Sequence, residues 1–96
     1  MIEVATVVAA IEGLVGGYAS GTVSLPDLSS ELKVQIALLD GLLPPAMVDQ
    51  VRAARNQIEM INASMLGAQR VLMTEQDRRT IEEGLDQLEQ ALSTLQ

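Results

Sequence analysis

Thr74-Glu75-Gln76-Asp77-Arg78-Arg79-Thr80-Ile81-Glu82-Glu83-Gly84-Leu85-Asp86-Gln87-Leu88-Glu89-Gln90-Ala91-Leu92 is the stretch that decides the fold. Thr74 offers a side-chain oxygen to the orphan amides of a helix start, and Asp77 follows three residues later to bond back, the pattern of a capping box. Beyond it Ile81, Leu85, Leu88, Leu92 and Leu95 recur at three- and four-residue spacing, which lines one face of a helix and no face of a strand. Gly84 and Ala91 take the narrower positions of that face.

The same grammar repeats upstream. Ser24-Leu25-Pro26-Asp27 reads as a second capped start, with proline tolerated in a first turn. Leu28, Leu32, Ile36 and Leu39 form its stripe, and Asp40-Gly41 ends it. Pro44-Pro45 opens a long third helix whose stripe is Val48, Val51, Ala54 or Arg55, Ile58, Ile61 and Met65, kept until Gly67. Residues 68–73 read as a turn or a ragged helix end. The first helix is expected from about Ile2 to Val15. Val4, Val7, Val8, Ile11, Leu14 and Val15 make its stripe, and Ala5, Ala9 and Ala10 leave it apolar nearly all round. Such a helix is either central in a core or half of an oligomer interface. Gly16-Gly17 and Gly21 are expected to break it around Tyr18. Four helices joined by short loops imply an all-α fold, an antiparallel up-down four-helix bundle occupying residues 1–96 as one domain.

Composition narrows the chemistry. The 96 residues contain no Cys and no His, so disulfides, thiol nucleophiles, histidine acid–base catalysis and Cys/His metal sites are excluded. Hydrophobic residues make up 48%, yet Tyr18 is the lone aromatic, so the core is aliphatic. Five methionines (Met1, Met47, Met60, Met65, Met73) are expected chiefly as gap-fillers in it. Glu3 and Glu12 interrupt the apolar amino-terminal run, which therefore reads neither as a secretory signal nor as a membrane span. The expected setting is the cytoplasm, with no membrane partner.

Thirteen acids against six bases give a net charge of −7. Residues 1–51 carry −5, residues 52–70 carry +2 through Arg52, Arg55 and Arg70 against Glu59, and residues 71–96 carry −4. A surface of this sign repels phosphate backbones, so direct nucleic-acid binding is not expected. A basic protein partner is. Glu82, Asp86 and Glu89 fall on one helix face beside the leucine stripe, where they would steer such a partner and fix its register. A solvated face neutralised by Arg78–Glu82 and Arg79–Glu83 pairs is the plainer alternative, although base before acid is the poorer orientation for i, i+4 pairs. Arg52 and Arg55 are expected to anchor acids of neighbouring helices.

Two resemblances bear on function. Glu82-Glu83-Gly84-Leu85-Asp86 resembles the metal-binding E-E-x-x-E pattern of the all-helical nucleotide pyrophosphohydrolases. That family needs a further E-x-x-D helix downstream. The nearest spacing match, Glu59-Met60-Ile61-Asn62, lies upstream and ends in Asn, so no enzyme, metal or cofactor is expected. Ile11-x-x-Leu14-x-x-x-Tyr18-Ala19-Ser20-Gly21-Thr22-Val23-Ser24-Leu25-x-x-Leu28 is similar to the opening of small bacteriocin immunity proteins of the colicin D type. It covers residues 4–32 in sequence and the remainder in helix order. Leu28 stands where that family usually carries Phe, and the middle loop lacks its aromatics. The resemblance implies a small helical bundle that binds a cognate nuclease toxin and blocks it with acidic side chains. Asp27, Glu31, Glu82, Glu83, Asp86 and Glu89, on the second and fourth helices, are the candidate partner-binding residues. The alternative is a structural or adaptor bundle that self-associates, as a homodimer, through the apolar first helix.

Overall fold

A computed structural model of the chain describes residues 3–69 and 72–94. Four helices are present among the described residues: α1 Val4–Ser20, α2 Leu25–Leu39, α3 Pro45–Gly67 and α4 Glu75–Ser93. Short connections at 21–24, 40–44 and 68–74 force consecutive helices to run antiparallel. Facing residues show the alternation. Gln57 of α3 donates to the Thr80 carbonyl of α4, whereas Ala53, earlier in α3, lies beside Gln87 and Ala91, later in α4. Tyr18 near the end of α1 lies beside Arg78 near the start of α4, and Glu12 lies opposite Glu89. The chain is an all-α four-helix bundle.

Capping explains where three helices begin. Thr74 Oγ1 accepts the Asp77 amide at 3.0 Å, and Asp77 Oδ2 accepts the Thr74 amide at 3.2 Å. Ser24 Oγ accepts the Asp27 amide at 3.3 Å, with Pro26 in the first turn. Pro45 opens α3, its fixed φ already helical and its missing N–H one that no helix start uses.

The first helix departs from the sequence expectation. It runs through Gly16-Gly17 to Ser20 and ends at Gly21, whose φ of 85° is left-handed. A glycine inside a helix costs only about 1 kcal/mol, and the extra turn places Tyr18 against the core. Gly17 is needed for a different reason. A Cβ there would stand 2.5 Å from Val23 Cγ2, and its carbonyl accepts the Thr22 and Val23 amides of the reversing chain at 2.8 and 3.1 Å. The third helix does keep its period until Gly67, but the left-handed turn residue after it is Gln69, with a φ of 55°.

The core is one aliphatic cluster drawn from all four helices. Val7, Val8, Ile11 and Val15 of α1, Leu28, Leu32, Ile36 and Leu39 of α2, Val48, Val51, Ala54, Ile58 and Ile61 of α3, and Ile81, Leu88 and Leu92 of α4 are buried. Ala54 rather than Arg55 takes the core position, and Leu85 is half-buried. Met65 and Met73 pack against the core as gap-fillers, while Met60 is exposed. The expected Ile2 start of the first helix, together with Met1, Arg70 and Leu95, lies outside the described residues. Helices α3 and α4 pack most extensively, α1·α2 and α2·α3 less so, and α1 meets α4 only sparsely; the backbones of α2 and α4, on the bundle diagonal, do not approach closely. No helix among the described residues is long and apolar enough to cross a membrane.

Candidate functional site

All six candidate acids are exposed, but they do not form one surface. Glu82, Asp86 and Glu89 run along α4, spanning about 10 Å at the helical rise. Glu82 and Glu89 border the seam with α1, whereas Glu83 turns to the other side of α4, where Gln57 Nε2 of α3 donates to it at 3.4 Å. Asp27 and Glu31 lie on α2, diagonally across the bundle from α4, whose backbone it does not approach closely. The acids of the second and fourth helices therefore make two separate patches, and α4 holds the denser one.

The neutralising pairs expected along α4 do not form. Arg79 Nε reaches back to Glu75 Oε1 at 3.5 Å, the favourable order of acid before base. Arg78 makes no ion pair among the described residues, and neither does any of Glu82, Glu83, Asp86 and Glu89. Two like charges 6 Å apart in water repel by about 0.7 kcal/mol, so the Glu82–Asp86–Glu89 strip stores a modest repulsion that a cation relieves. Solvent screening over about 8 Å at physiological ionic strength keeps that effect local.

Two further bases, Arg52 and Arg55, are held within the bundle, Arg52 by an acid beyond its own helix as expected and Arg55 by an acid of its own helix. Arg52 pairs with Asp40 at 3.7 Å and Asp49 at 3.6 Å. Arg55 Nη2 sits 3.4 Å from Glu59 Oε2 and 3.2 Å from Ser29 Oγ, and its Nε donates to the Ser29 carbonyl at 3.3 Å. Ser29 Oγ donates to Glu59 Oε2, and Asn62 Nδ2 donates to the same oxygen at 3.4 Å. The hydroxyl of Ser29, then the Asn62 amide and the Arg55 and Lys33 charges, hold the Glu59 carboxyl below its ordinary value. Ser29 and Asn62 are both buried, so this polar cluster ties α2 to α3. Sequence periodicity missed it, because Ser29 and Asn62 sit on core faces where an apolar residue is the default. Lys33, Arg52 and Arg55 also surround a pocket of about 260 Å³ between α2 and α3.

Two further features were not legible in the sequence. Val34 and Leu38 continue the outer face of α2 that begins with Asp27 and Glu31, and both are exposed, at 54% and 36%. The exposed surface of α1 consists of Ala5, Thr6, Ala9, Glu12, Gly13, Gly16, Ala19 and Ser20, its large aliphatics being turned inward. Among the described residues no group of three or more carboxylates stands close enough to hold a metal ion. No known family model, curated protein or solved structure matches this chain.

Proposed function

We propose that the protein is a small acidic inhibitor, of the immunity or antitoxin kind, that occludes a basic surface on a protein partner such as a nuclease toxin. The observation that carries this reading is the Glu82–Asp86–Glu89 strip on α4, exposed along its length and without an ion pair among the described residues. Charge arranged this way speeds encounter with a cationic surface and sets the register of docking. The likeness of residues 4–32 to colicin D type immunity proteins points to the same class of partner. Because α2 and α4 lie on the bundle diagonal, α4 leads in this reading, and Asp27 and Glu31 serve as a second contact on another side of the bundle. An interface poor in aromatic anchors relies on electrostatics more than on deep apolar hot spots.

Self-association through α1 is the second reading. Its support is the smooth outer face of that helix, where Ala9, Gly13 and Gly16 leave the backbone open to close approach.

The test of the inhibitor is a pull-down from the source cell at low and high salt, followed by association kinetics with the recovered partner. Association is expected to slow as salt rises. Reversing Glu82, Asp86 and Glu89 to Lys is expected to weaken binding tenfold or more, whereas reversing Asp27 and Glu31 weakens it less. A partner bound equally well by the triple variant would overturn the acidic-strip mechanism.

A further inference from the structure

The seam between α1 and α4 is the thinly packed one in the bundle, and two hollows lie along it. One, of about 410 Å³, is lined by Glu12, Val15 and Gly16 from α1 and by Glu89 and Leu92 from α4. The other, of about 440 Å³, lies against Tyr18, Val23, Met73, Ile81 and Glu82, with Arg78 at its side. Ala19 lines both, so the hollows are neighbours along the seam and together form an interrupted groove. Its floor is apolar: Val15, Ile81 and Leu92 are buried core residues, and Tyr18 is the chain's single aromatic ring. On the α1 side its wall is nearly absent, because a Cβ built on Gly16 meets nothing within 4 Å. Among the described residues that line it, the acids are Glu12, Glu82 and Glu89 and the base is Arg78. From Arg78 to Ser93 the two hollows together span about 22 Å of α4 at the helical rise, the length of a helix of about fifteen residues.

The geometry points to a docking groove for a cationic amphipathic helix of the partner, its apolar stripe laid over Val15, Tyr18 and Leu92 and its Lys or Arg side chains reaching Glu12, Glu82 and Glu89. The proposal rests on the acidic-partner reading and gives it a shape: the recognised element is a basic helix, held in a groove rather than against a flat charged face. Helix-in-groove recognition needs an apolar trough with polar rims, and small residues on one wall let the incoming backbone come close. The sign of the rims selects the occupant. A second copy of this chain, also at −7, brings acids to acids.

The probe is an aromatic-free Lys/Leu/Ala peptide of about fifteen residues, amphipathic when helical, with a Lys→Gln version as control. Binding is read by fluorescence of Tyr18, the sole fluorophore, and by amide chemical shifts of the labelled protein. Saturable binding of the cationic peptide is expected, with shifts at residues 12–23 and 78–93. The control is expected to bind at least tenfold more weakly. Gly16→Leu, which fills open space, should fold normally and weaken the peptide at least tenfold. Binding that survives Gly16→Leu but is lost when Glu82, Asp86 and Glu89 are reversed overturns the groove and leaves the acidic strip standing. Absence of saturable binding also overturns the groove, while the strip keeps its separate test on the recovered partner. A protein that light scattering shows to be a dimer, and that Gly16→Leu turns into a monomer, assigns the face to a second copy and overturns the peptide proposal.

Discussion

Helix α4 shows two different flanks to its two neighbours. Toward α3 it is closely packed: a Cβ added at Gly84 would stand 2.9 Å from Ile58 Cγ1 and 3.2 Å from the Ala54 carbonyl oxygen. Toward α1 it is loosely packed, and the same addition at Gly16 meets nothing within 4 Å. Both glycines sit inside helices, yet one is required by its neighbour and the other is not. The difference teaches where this bundle invests its packing. The α3–α4 seam is the most extensively packed, the α1–α2 and α2–α3 seams follow, and the α1–α4 seam is the sparsest.

The largest test of that contrast is a matched pair of substitutions. Gly84→Leu forces a branched side chain against a backbone carbonyl that cannot rotate away, and is expected to cost about 3 kcal/mol. Gly16→Leu adds a good helix former in open space and is expected to stabilise by roughly 0.5–1 kcal/mol. Chemical denaturation of the two variants gives the signs directly. Equal and opposite packing is not required, but two losses of similar size would mean that both seams are closed.

How much of this was legible in the sequence follows from which rules act locally. The capping box at Thr74, the Ser24 cap and the Pro45 start are decided within four residues, so they could be read from the chain. The aliphatic stripes were legible because burial follows the helical period. Gly16-Gly17 misled because helix-breaking is a weak local preference that the Tyr18 packing outweighs. The Ser29–Arg55–Glu59–Asn62 cluster was hidden because it joins residues 30 positions apart, and Ser29 matters only once Glu59 is beside it. The expected Arg79–Glu83 pair failed for a local reason that was available: Glu75 precedes Arg79 by four residues and competes in the better orientation. That the acids divide between two diagonal helices depends on bundle order, which periodicity does not encode.

A second test of intermediate size addresses the α2–α3 seam. Removing the Glu59 carboxylate as Glu59→Ala leaves the buried Ser29 hydroxyl and the Asn62 amide without their acceptor, a loss of about 1–2 kcal/mol at neutral pH. Folding lowers the Glu59 pKa from its ordinary 4.5, chiefly through the Ser29 hydroxyl. The stabilisation is therefore complete above that ordinary value and disappears as pH falls through the lowered one. Thermal unfolding of wild type and variant is expected to differ at pH 7 and to converge in strong acid. A difference that stayed constant into acid would assign the loss to packing rather than to the charged hydrogen-bond cluster.

The smallest effect probes the open seam from inside it. Tyr18 is the only tyrosine, so its phenol can be titrated alone by tyrosinate absorbance. Burial raises its pKa above the ordinary 10.0; the Arg78 charge works against that rise and Glu82 adds to it. A raised value means that the folded state favours the protonated phenol. The associated stability is intact below about pH 10 and is lost as pH climbs through the raised value. Arg78→Gln is then expected to move the titration further up, and Glu82→Gln to move it down. These opposite directions separate the effect from a general loosening, which would carry both variants toward the ordinary value. They also bear on the comparison between the seams, because Tyr18 belongs to α1 and both charges belong to α4. A phenol that responds to them with opposite sign shows that the end of α1 and the start of α4 face each other closely enough for both charges to act on the ring.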